Sequence, residues 1–404
     1  MAHTASPAGS PTPYPARMLT REQVISVYRQ VLGRTPGEHE IEHQLAGLRT
    51  LDEMLRIALD SEEYALRLRE AGQQAGRRWT VVNTFHPELA EWGYRPGTRS
   101  DDGIAIVGRD GWLFLCGGTN ANLGQYAGTV QMEPGWLEGW RDVLLRREAE
   151  LRALGVAAAT LVVPDKLAVY EQHYPEPLQK AGPRPIERLL AGGDLPIVYP
   201  LAELRELAER EHVYLRTDTH LTFAGNELLF ASVREPLGID APLDLSGLVT
   251  EPYVAPGDLG VKFDPPIVEV MDAPSTFHAA RIAWDNREAI AATGGHVGTR
   301  RVFVNDAAPD SRTAVLFGDS FGFSAAHYQG LSWFLAQVFR ETHFVWTPFG
   351  WDPGYVQATH AEVVLSQGAE RFVARVPEPA VDVAELEARV LGRSAEAAQP
   401  AAEG

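Results

Sequence analysis

The stretch that decides the fold is TAVLFGDSFGFSAA, residues 313–326. It begins as an apolar run typical of a buried strand, breaks at Gly318, and then presents Asp319 and Ser320. A strand that ends in Gly-Asp-Ser and leads into a helix places the serine at the carboxyl end of the strand, where open α/β sheets bind their ligands. Gly318 permits a tight turn, and the N–H groups at the start of the next helix would face an oxyanion beside Ser320. The stretch therefore predicts an α/β sheet and makes Ser320 a candidate nucleophile.

The same residues have a purely structural interpretation. Asp and Ser are common helix N-caps, so a strand-GDS-helix junction also forms where no chemistry takes place. A catalytic serine needs a general base, and the rest of the chain must supply it.

Apolar runs alternate with helical repeats on both sides of this stretch. Strands are predicted at 156–163, 196–200, 212–215, 301–304, 343–346 and 361–365, and helices at 136–154, 201–210, 222–233 and 331–339. A hairpin is predicted at 104–115, around Arg109-Asp110-Gly111. This alternation predicts a mainly parallel sheet covered by helices on both faces.

The ends of the chain differ from its middle. Residues 1–18 are rich in Pro, Ser and Ala and are predicted to be a disordered leader. Apolar residues then recur at helical spacing from Thr20, which predicts a small all-α module over 19–72. Residues 73–99 are predicted to be a linker, 100–380 the main domain, and 381–404 a C-terminal helix and polar tail.

Composition narrows the class of protein. The 404 residues suffice for two or three domains, and the net charge of −18 argues against a nucleic-acid-binding surface, which needs clustered Lys and Arg. The single cysteine, Cys116, excludes an intramolecular disulfide and a cysteine-based metal cluster. We expect no metal site and no cofactor. Without a signal-peptide pattern or a run of 18 apolar residues, we expect a cytoplasmic protein with no transmembrane segment.

The base for the serine is predicted in YLRTDTHLTFAGNELL, residues 214–229. Asp218 and His220 follow a predicted strand and precede a predicted helix, so we expect them at the same sheet edge as Ser320. A histidine is the usual base for a serine, and an aspartate two residues away in extended backbone can hold its ring. The alternative is that Asp218 and Thr222 only cap the helix.

The motifs and their order resemble the alginate O-acetyltransferase-like branch of the SGNH hydrolases. The matching stretches are GRDGWLFL (108–115), VVPDKLAVY (162–170), DTHLTFAGN (218–226), PGDLG (256–260), GDSFG (318–322) and QGAERF (367–372). This chain departs from the family pattern at Leu221, where tryptophan is usual, and at Gln367, where an acidic residue is common. Residues within 20–70 resemble a small helical domain related to phycobilisome-linker modules.

The resemblance implies an SGNH-like three-layer α/β/α domain with Ser320 as nucleophile, His220 as base and Asp218 as its partner. The expected reaction is O-acyl transfer, most simply acetyl transfer, from an acyl donor to a carbohydrate hydroxyl through an acyl-enzyme. The alternatives are a carbohydrate esterase acting by hydrolysis and a non-catalytic carbohydrate-binding or scaffold protein. Residues 20–70 are expected to dock on a glycan-assembly protein.

Four further residues are predicted to line the cleft. Lys166 and Tyr170 follow the strand at 156–163 and could contact sugar hydroxyls or the acyl donor, although helix initiation after Pro164 explains them nearly as well. Asn226 is a candidate oxyanion donor, and Trp351 a candidate sugar-stacking platform. The reserve bases are His327, His343 and His360.

Overall fold

The computed structural model describes most of residues 19–397 and divides the chain into two units. One unit is Met1–Arg78 with Asn83–Glu88, and the other is Trp79–Val82 with Leu89–Gly404. The predicted leader (1–18), most of the predicted linker, His327 and the end of the tail lie outside the described residues. Also outside, between 19 and 397, are 33, 48–53, 55–56, 59–60, 62, 64–80, 83–88, 90–92, 247, 249, 265, 275–279 and 326–327.

The first unit contains the helix predicted from Thr20. Helix α1 (Arg21–Gln30) begins with a capping box: the N–H of Gln23 donates to the Thr20 hydroxyl, and the N–H of Thr20 donates to the Gln23 side chain at 2.9 Å. Val24 and Val27 on its apolar stripe are fully buried. Helix α2 (Glu38–Gly47) follows. The docking role of this module stays a prediction.

The second unit carries the remaining described elements. Its helices are α3 (Asn122–Tyr126), α4 (Trp136–Ala153), α5 (Lys166–Val169), α6 (Pro185–Ala191), α7 (Leu201–Ala208), α8 (Phe223–Arg234), α9 (Gly257–Gly260), α10 (Arg287–Ala291), α11 (Leu331–Val338), α12 (Pro353–Ala358) and α13 (Val383–Ala397). Its strands are β1 (Val81–Val82), β2 (Ala105–Val107), β3 (Leu113–Leu115), β4 (Ala157–Val163), β5 (Ile197–Val198), β6 (Thr250–Ala255), β7 (Glu269–Pro274), β8 (Arg281–Asp285), β9 (Arg300–Val304), β10 (Asp310–Gly318), β11 (Ser324–Ala325), β12 (Tyr328–Gln329), β13 (Phe339–Trp346) and β14 (Val363–Ala369). No helix in the described part of the chain combines the length and the apolar content that crossing a bilayer requires.

A seven-stranded sheet forms the centre of this unit, in the order β5-β4-β14-β10-β13-β9-β8. The first five strands are parallel, and β9 and β8 join the edge antiparallel to their neighbours. The prediction of a mainly parallel sheet is therefore confirmed. The predicted hairpin is also present, as the antiparallel pair of β2 and β3.

Alternate side chains of β10 explain why the domain has three layers. Ala314 and Leu316 pack in one core with Phe230 of α8 and Phe334 of α11. Val315 and Phe317 point the other way, into a second core that includes residues of α4, α12 and α13. A strand buried on both faces needs apolar residues at every position, which is the pattern of AVLF.

Two local predictions are wrong. Residues 212–215 form no strand of the central sheet and make only an isolated bridge between Tyr214 and Leu221. The GDS stretch also leads into no helix: a turn and the short hairpin β11–β12 come first, and α11 begins only at Leu331. In both places side-chain hydrogen bonds, described below, hold an irregular backbone that apolar patterning does not reveal.

Candidate active site

Ser320 lies in the turn directly after β10, and Asp319 beside it builds that turn. The buried Asp319 carboxylate accepts hydrogen bonds from the N–H of Phe321 at 2.9 Å and the N–H of Ala369 at 2.7 Å. The side chain of Gln367 accepts from the N–H of Asp319 at 3.1 Å and donates to its carboxylate at 2.8 Å. A carboxylate at position 367 would repel the carboxylate of Asp319. The glutamine that this chain has there, in place of the acidic residue common in the family, avoids that repulsion.

The turn does not offer the helix N-terminus that we predicted as an oxyanion site. The N–H groups of Gly322 and Phe323 donate to the Asp319 carbonyl, and that of Phe321 donates to the Asp319 side chain. These donors are therefore used within the turn, while Ser320 itself is half-buried.

Asp218 and His220 form a tightly bonded pair. The Nδ1 atom of His220 lies 2.6 Å from Asp218 Oδ1, which also accepts the N–H of His220 at 2.9 Å. Burial would raise the pKa of Asp218, but the charge and hydrogen bonds of His220 hold it well below its usual range. Burial likewise opposes charge on His220, but the Asp218 carboxylate outweighs it and raises the pKa of His220 above 6.5.

The His220 ring brings the two motifs together. Its centroid lies 4.9 Å from that of Phe321, the residue after Ser320, and 5.0 Å from that of Tyr328 on β12. The Nε2 atom is buried and has no hydrogen-bond partner among the described residues, Ser320 included. An imidazole whose Nδ1 is held by a carboxylate and whose Nε2 has no partner can act as a general base.

Lys166 and Glu269 hold the segment that carries the pair. The Lys166 ammonium donates to the carbonyls of Leu215, Arg216 and Asp218 at 3.0, 3.0 and 2.7 Å. The buried Glu269 carboxylate accepts from the Thr217 N–H at 2.9 Å and from its hydroxyl at 2.8 Å. The assignment of Lys166 to substrate binding is therefore corrected, because three internal carbonyls take up its three N–H donors.

Replacing Lys166 tests this correction. Burial lowers the pKa of Lys166 to about 8, and the carbonyls it serves would lose their donor in Lys166→Met. We expect the free energy of unfolding to fall by on the order of 3 kcal/mol, measured by urea denaturation against the exposed control Lys180→Met. Unchanged stability with a raised KM would restore the substrate-binding assignment.

Two other predicted cleft residues belong to the protein core. Tyr170 is 3% exposed, its hydroxyl accepts from the N–H of Val213 at 3.0 Å, and its ring stacks on Trp112 at 4.0 Å. Trp351 is 1% exposed, and its indole N–H donates to Glu150. Neither ring has a face open to a sugar, so both assignments are corrected.

Asn226 does lie at the site. The residue is 1% exposed, its amide donates to the Thr222 carbonyl at 3.1 Å, and its Oδ1 has no partner within the described residues. The hydroxyl of Tyr328, whose pKa burial raises well above 10, is likewise buried without a partner there. Together with His220 Nε2, these are three buried polar atoms without a partner in this part of the domain. No pattern in the sequence pointed to Tyr328.

The two reserve bases among the described residues, His343 and His360, do not take the place of His220. Both ring nitrogens of His343 are bonded, to the Tyr355 hydroxyl at 2.8 Å and to Glu341 at 2.6 Å. The structure gives His360 no place at the site: it follows α12 in a left-handed backbone conformation, with φ 52°.

Asp258 joins the pair from a distant part of the sequence. One of its carboxylate oxygens lies 3.9 Å from His220 Nδ1, and single donor atoms of Asp218, His220 and Asp258 lie within 4.8 Å of one another. The Asp258 oxygens also accept the N–H and hydroxyl of Thr219. The PGDLG motif was noted as part of the family resemblance, but its position in the sequence could not show that Asp258 lies close to His220.

Comparison with known proteins matches residues 105–240 to the family described as SGNH hydrolase-like domain, acetyltransferase AlgX. The chain is 30% identical over 152 residues to the probable alginate O-acetylase AlgJ of Pseudomonas aeruginosa, an alignment that covers 34% of this chain and 35% of AlgJ. The chain thus spans about a third of the length of that relative.

Among solved structures, the chain is similar to Bacillus cereus PatB1 with a sulfonyl adduct, with a TM-score of 0.44 and 14% identity over 70% of this chain and 97% of that one. The O-acetyltransferase domain of Pseudomonas putida AlgJ gives a TM-score of 0.39 and 20% identity over 70% and 98% of the two chains. Both sequence identities are below 25%, and both TM-scores are below 0.5. Residues 105–240 are similar to the SGNH hydrolase-like domain of the acetyltransferase AlgX family, and Asp218 and His220 lie inside the matched segment while Ser320 lies beyond it.

Proposed function

We propose that the protein transfers an acyl group, most simply acetyl, to a carbohydrate hydroxyl through an acyl-enzyme on Ser320. One observation carries this proposal: His220 is bonded through Nδ1 to Asp218, its Nε2 has no partner among the described residues, and its ring packs against Phe321, the residue that follows Ser320. The AlgX-type family match and the similarity to an alginate O-acetylase support the acyl chemistry and a carbohydrate acceptor.

The proposed reaction has two half-reactions. His220 Nε2 takes the proton from Ser320 Oγ as that oxygen attacks the ester carbonyl of the donor, and the Asp218 carboxylate stabilises the imidazolium. The donor alcohol leaves with the proton from Nε2. The acceptor hydroxyl then gives its proton to Nε2 and attacks the acyl carbon, which releases Ser320 and returns the proton to its oxygen. Both steps require Ser320 Oγ to come within hydrogen-bond distance of Nε2.

The oxyanion of each step needs donors outside the turn's internal hydrogen bonds. The N–H of Ser320 is the first candidate, and the Tyr328 hydroxyl is the second because it stays protonated and has no partner among the described residues. Asn226 lies next to Tyr328. Hydrolysis uses the same residues, with water in place of the sugar hydroxyl.

The test is direct observation of the acyl-enzyme. Mixing the protein with an activated acetyl ester should add one acetyl group on the peptide that contains Ser320, as seen by mass spectrometry. The adduct should be absent from Ser320→Ala. Its absence from the wild-type protein would support a non-catalytic scaffold. If an acetyl-accepting oligosaccharide speeds up the decay of the acetyl-enzyme and acetylated sugar forms, the protein is a transferase. If acetate is released at a rate that does not depend on the acceptor, it is an esterase.

A cytoplasmic location and a glycan-assembly partner for residues 20–70 are parts of the same proposal. An acidic chain can reach a carbohydrate polymer through such a docking module even though its net charge of −18 repels acidic polymers. Cell fractionation checks the location. The partner is checked by co-purification: a glycan-assembly protein should co-purify with the full chain and should be lost when residues 1–75 are removed.

A further inference from the structure

Asp258 makes four contacts with the segment that carries the proposed base and its aspartate. Its Oδ1 accepts the N–H of Thr219 at 2.7 Å, and its Oδ2 accepts the Thr219 hydroxyl. Its own N–H donates to Asp218 Oδ2 at 2.9 Å. Its Oδ2 also lies 3.9 Å from His220 Nδ1. Asp258 thus contacts each of the three consecutive residues 218–220.

The backbone around Asp258 is built for this approach. Gly257 has φ +61°, and a Cβ at that position would lie 2.4 Å from the Thr217 carbonyl oxygen and 2.8 Å from Asp218 Cβ. Only glycine fits that close approach without strain. The N–H groups of Leu259 and Gly260 then donate to the same Thr217 carbonyl at 3.1 and 2.9 Å. The loop 256–260 is therefore held against residues 217–219 by backbone hydrogen bonds as well as by the Asp258 carboxylate.

The two carboxylate oxygens of Asp218 bind different partners. Oδ2 is taken by the Asp258 N–H, so Oδ1 is left for the ring and N–H of His220. A carboxylate anchored at one oxygen cannot rotate freely, and the imidazole bonded to its other oxygen is oriented with it. The anchor on Thr219 prevents the peptide between Asp218 and His220 from turning away.

The charges that face His220 come from several elements. Asp218 and Asp258 are the carboxylates, Arg371 after β14 is the cation, and Tyr328 on β12 is a protonated hydroxyl. Arg371 is paired with Asp165 at 3.1 Å, which offsets part of its charge. The side chain of Asp258 is 43% exposed, so solvent screens its charge at His220 more than that of Asp218.

We infer that Asp258 is a positioning residue of the acyl-transfer site proposed above: it fixes Thr219 and the Oδ2 atom of Asp218, and through them holds the His220 ring toward Ser320. The inference rests on the proposed function of that site. It assigns no contact between Asp258 and the reacting atoms.

The test compares Asp258→Asn, Asp258→Ala and Thr219→Val in the full chain, with Glu206→Gln as a remote exposed control of equal charge change. We expect kcat on an activated acetyl ester to fall about tenfold in Asp258→Asn and up to about a hundredfold in Asp258→Ala, with KM little changed. Thr219→Val, which removes one hydrogen bond, should lie between Asp258→Asn and wild type. The acid limb of the pH–rate profile should shift to lower pH in both Asp258 variants and stay in place in Glu206→Gln.

A second measurement separates this inference from the proposed function. The imidazole resonances of His220, followed through a pH titration by NMR, should show a lower pKa in Asp258→Asn whether or not the protein turns over an ester. If the wild type forms no acyl-enzyme but the His220 titration still shifts, the proposed function fails and the positioning contact stands. The inference would be overturned if the Asp258 variants of an active enzyme kept both the kcat and the His220 pKa of the wild type. A loss of kcat with lowered unfolding stability and an unshifted titration, which is the mark of a merely structural residue, would also overturn it.

Discussion

Ser320→Ala should lower kcat/KM on any ester that the wild type uses by about a thousandfold or more, because it removes the atom that forms the acyl-enzyme. The substitution deletes one oxygen from a half-buried turn whose shape depends on Asp319, Gln367 and Ala369, so the fold should be retained. Steady-state kinetics on an activated acetyl ester measure the loss, and a thermal unfolding curve checks the fold.

The control for Ser320→Ala is Ser311→Ala, which removes a hydroxyl from an exposed position near the start of the same strand. That variant should keep wild-type kinetics. Activity of Ser320→Ala within about tenfold of wild type would remove Ser320 from the mechanism and leave water, activated by His220, as the nucleophile.

Asp218→Asn is expected to have the second large effect, a fall in kcat of about a thousandfold or more. The amide oxygen can accept a hydrogen bond from Nδ1–H, but it is neutral and cannot balance the charge of the imidazolium as the carboxylate does at 2.6 Å. The substitution is nearly isosteric, but the amide has a single acceptor oxygen, which can serve either the N–H of Asp258 or His220 and not both. A loss of less than tenfold would show that the pair is a structural cap on the loop before α8.

The pH dependence gives this prediction a sign. His220 acts as a base only when neutral, and the neighbouring carboxylate raises its pKa above 6.5 against the opposing effect of burial. The wild-type rate should therefore fall as pH drops through a value above 6.5. In Asp218→Asn the effect of burial is no longer outweighed by that carboxylate, so the pKa of His220 drops and the residual activity should extend to lower pH. An acid limb that moves upward in the variant would contradict the assignment.

Much of the domain could be predicted because apolar patterning reports burial directly. The run AVLF in β10 is apolar at each position, and the structure buries all four side chains, in cores on opposite faces of the sheet. The helix from Thr20 was predictable for a similar reason, since its cap and its apolar stripe are both local features of the chain. Asp218 and His220 pair across two residues, so their hydrogen bond was also a local matter.

Residues whose roles depend on distant partners were the ones misjudged. Lys166 was assigned to the substrate because it follows a strand, yet its ammonium bonds carbonyls about fifty residues away along the chain. Trp351 was assigned to a sugar platform because tryptophan can stack, yet it packs in the core with its N–H on Glu150. Residue type states what a side chain can do, and only its neighbours decide which of these it does.

The sequence by itself determined the parallel sheet, the position of Ser320 directly after a buried strand and the Asp218–His220 pair, because each follows from the polarity and spacing of residues close together in the chain. Only the tertiary structure decided that Phe321 lies against His220, that Tyr328 and Asn226 leave open polar atoms beside it, and that Asp258 holds the loop. Those contacts join segments up to about a hundred residues apart. Packing and hydrogen bonding of the whole domain set them, and no periodicity in the chain encodes them.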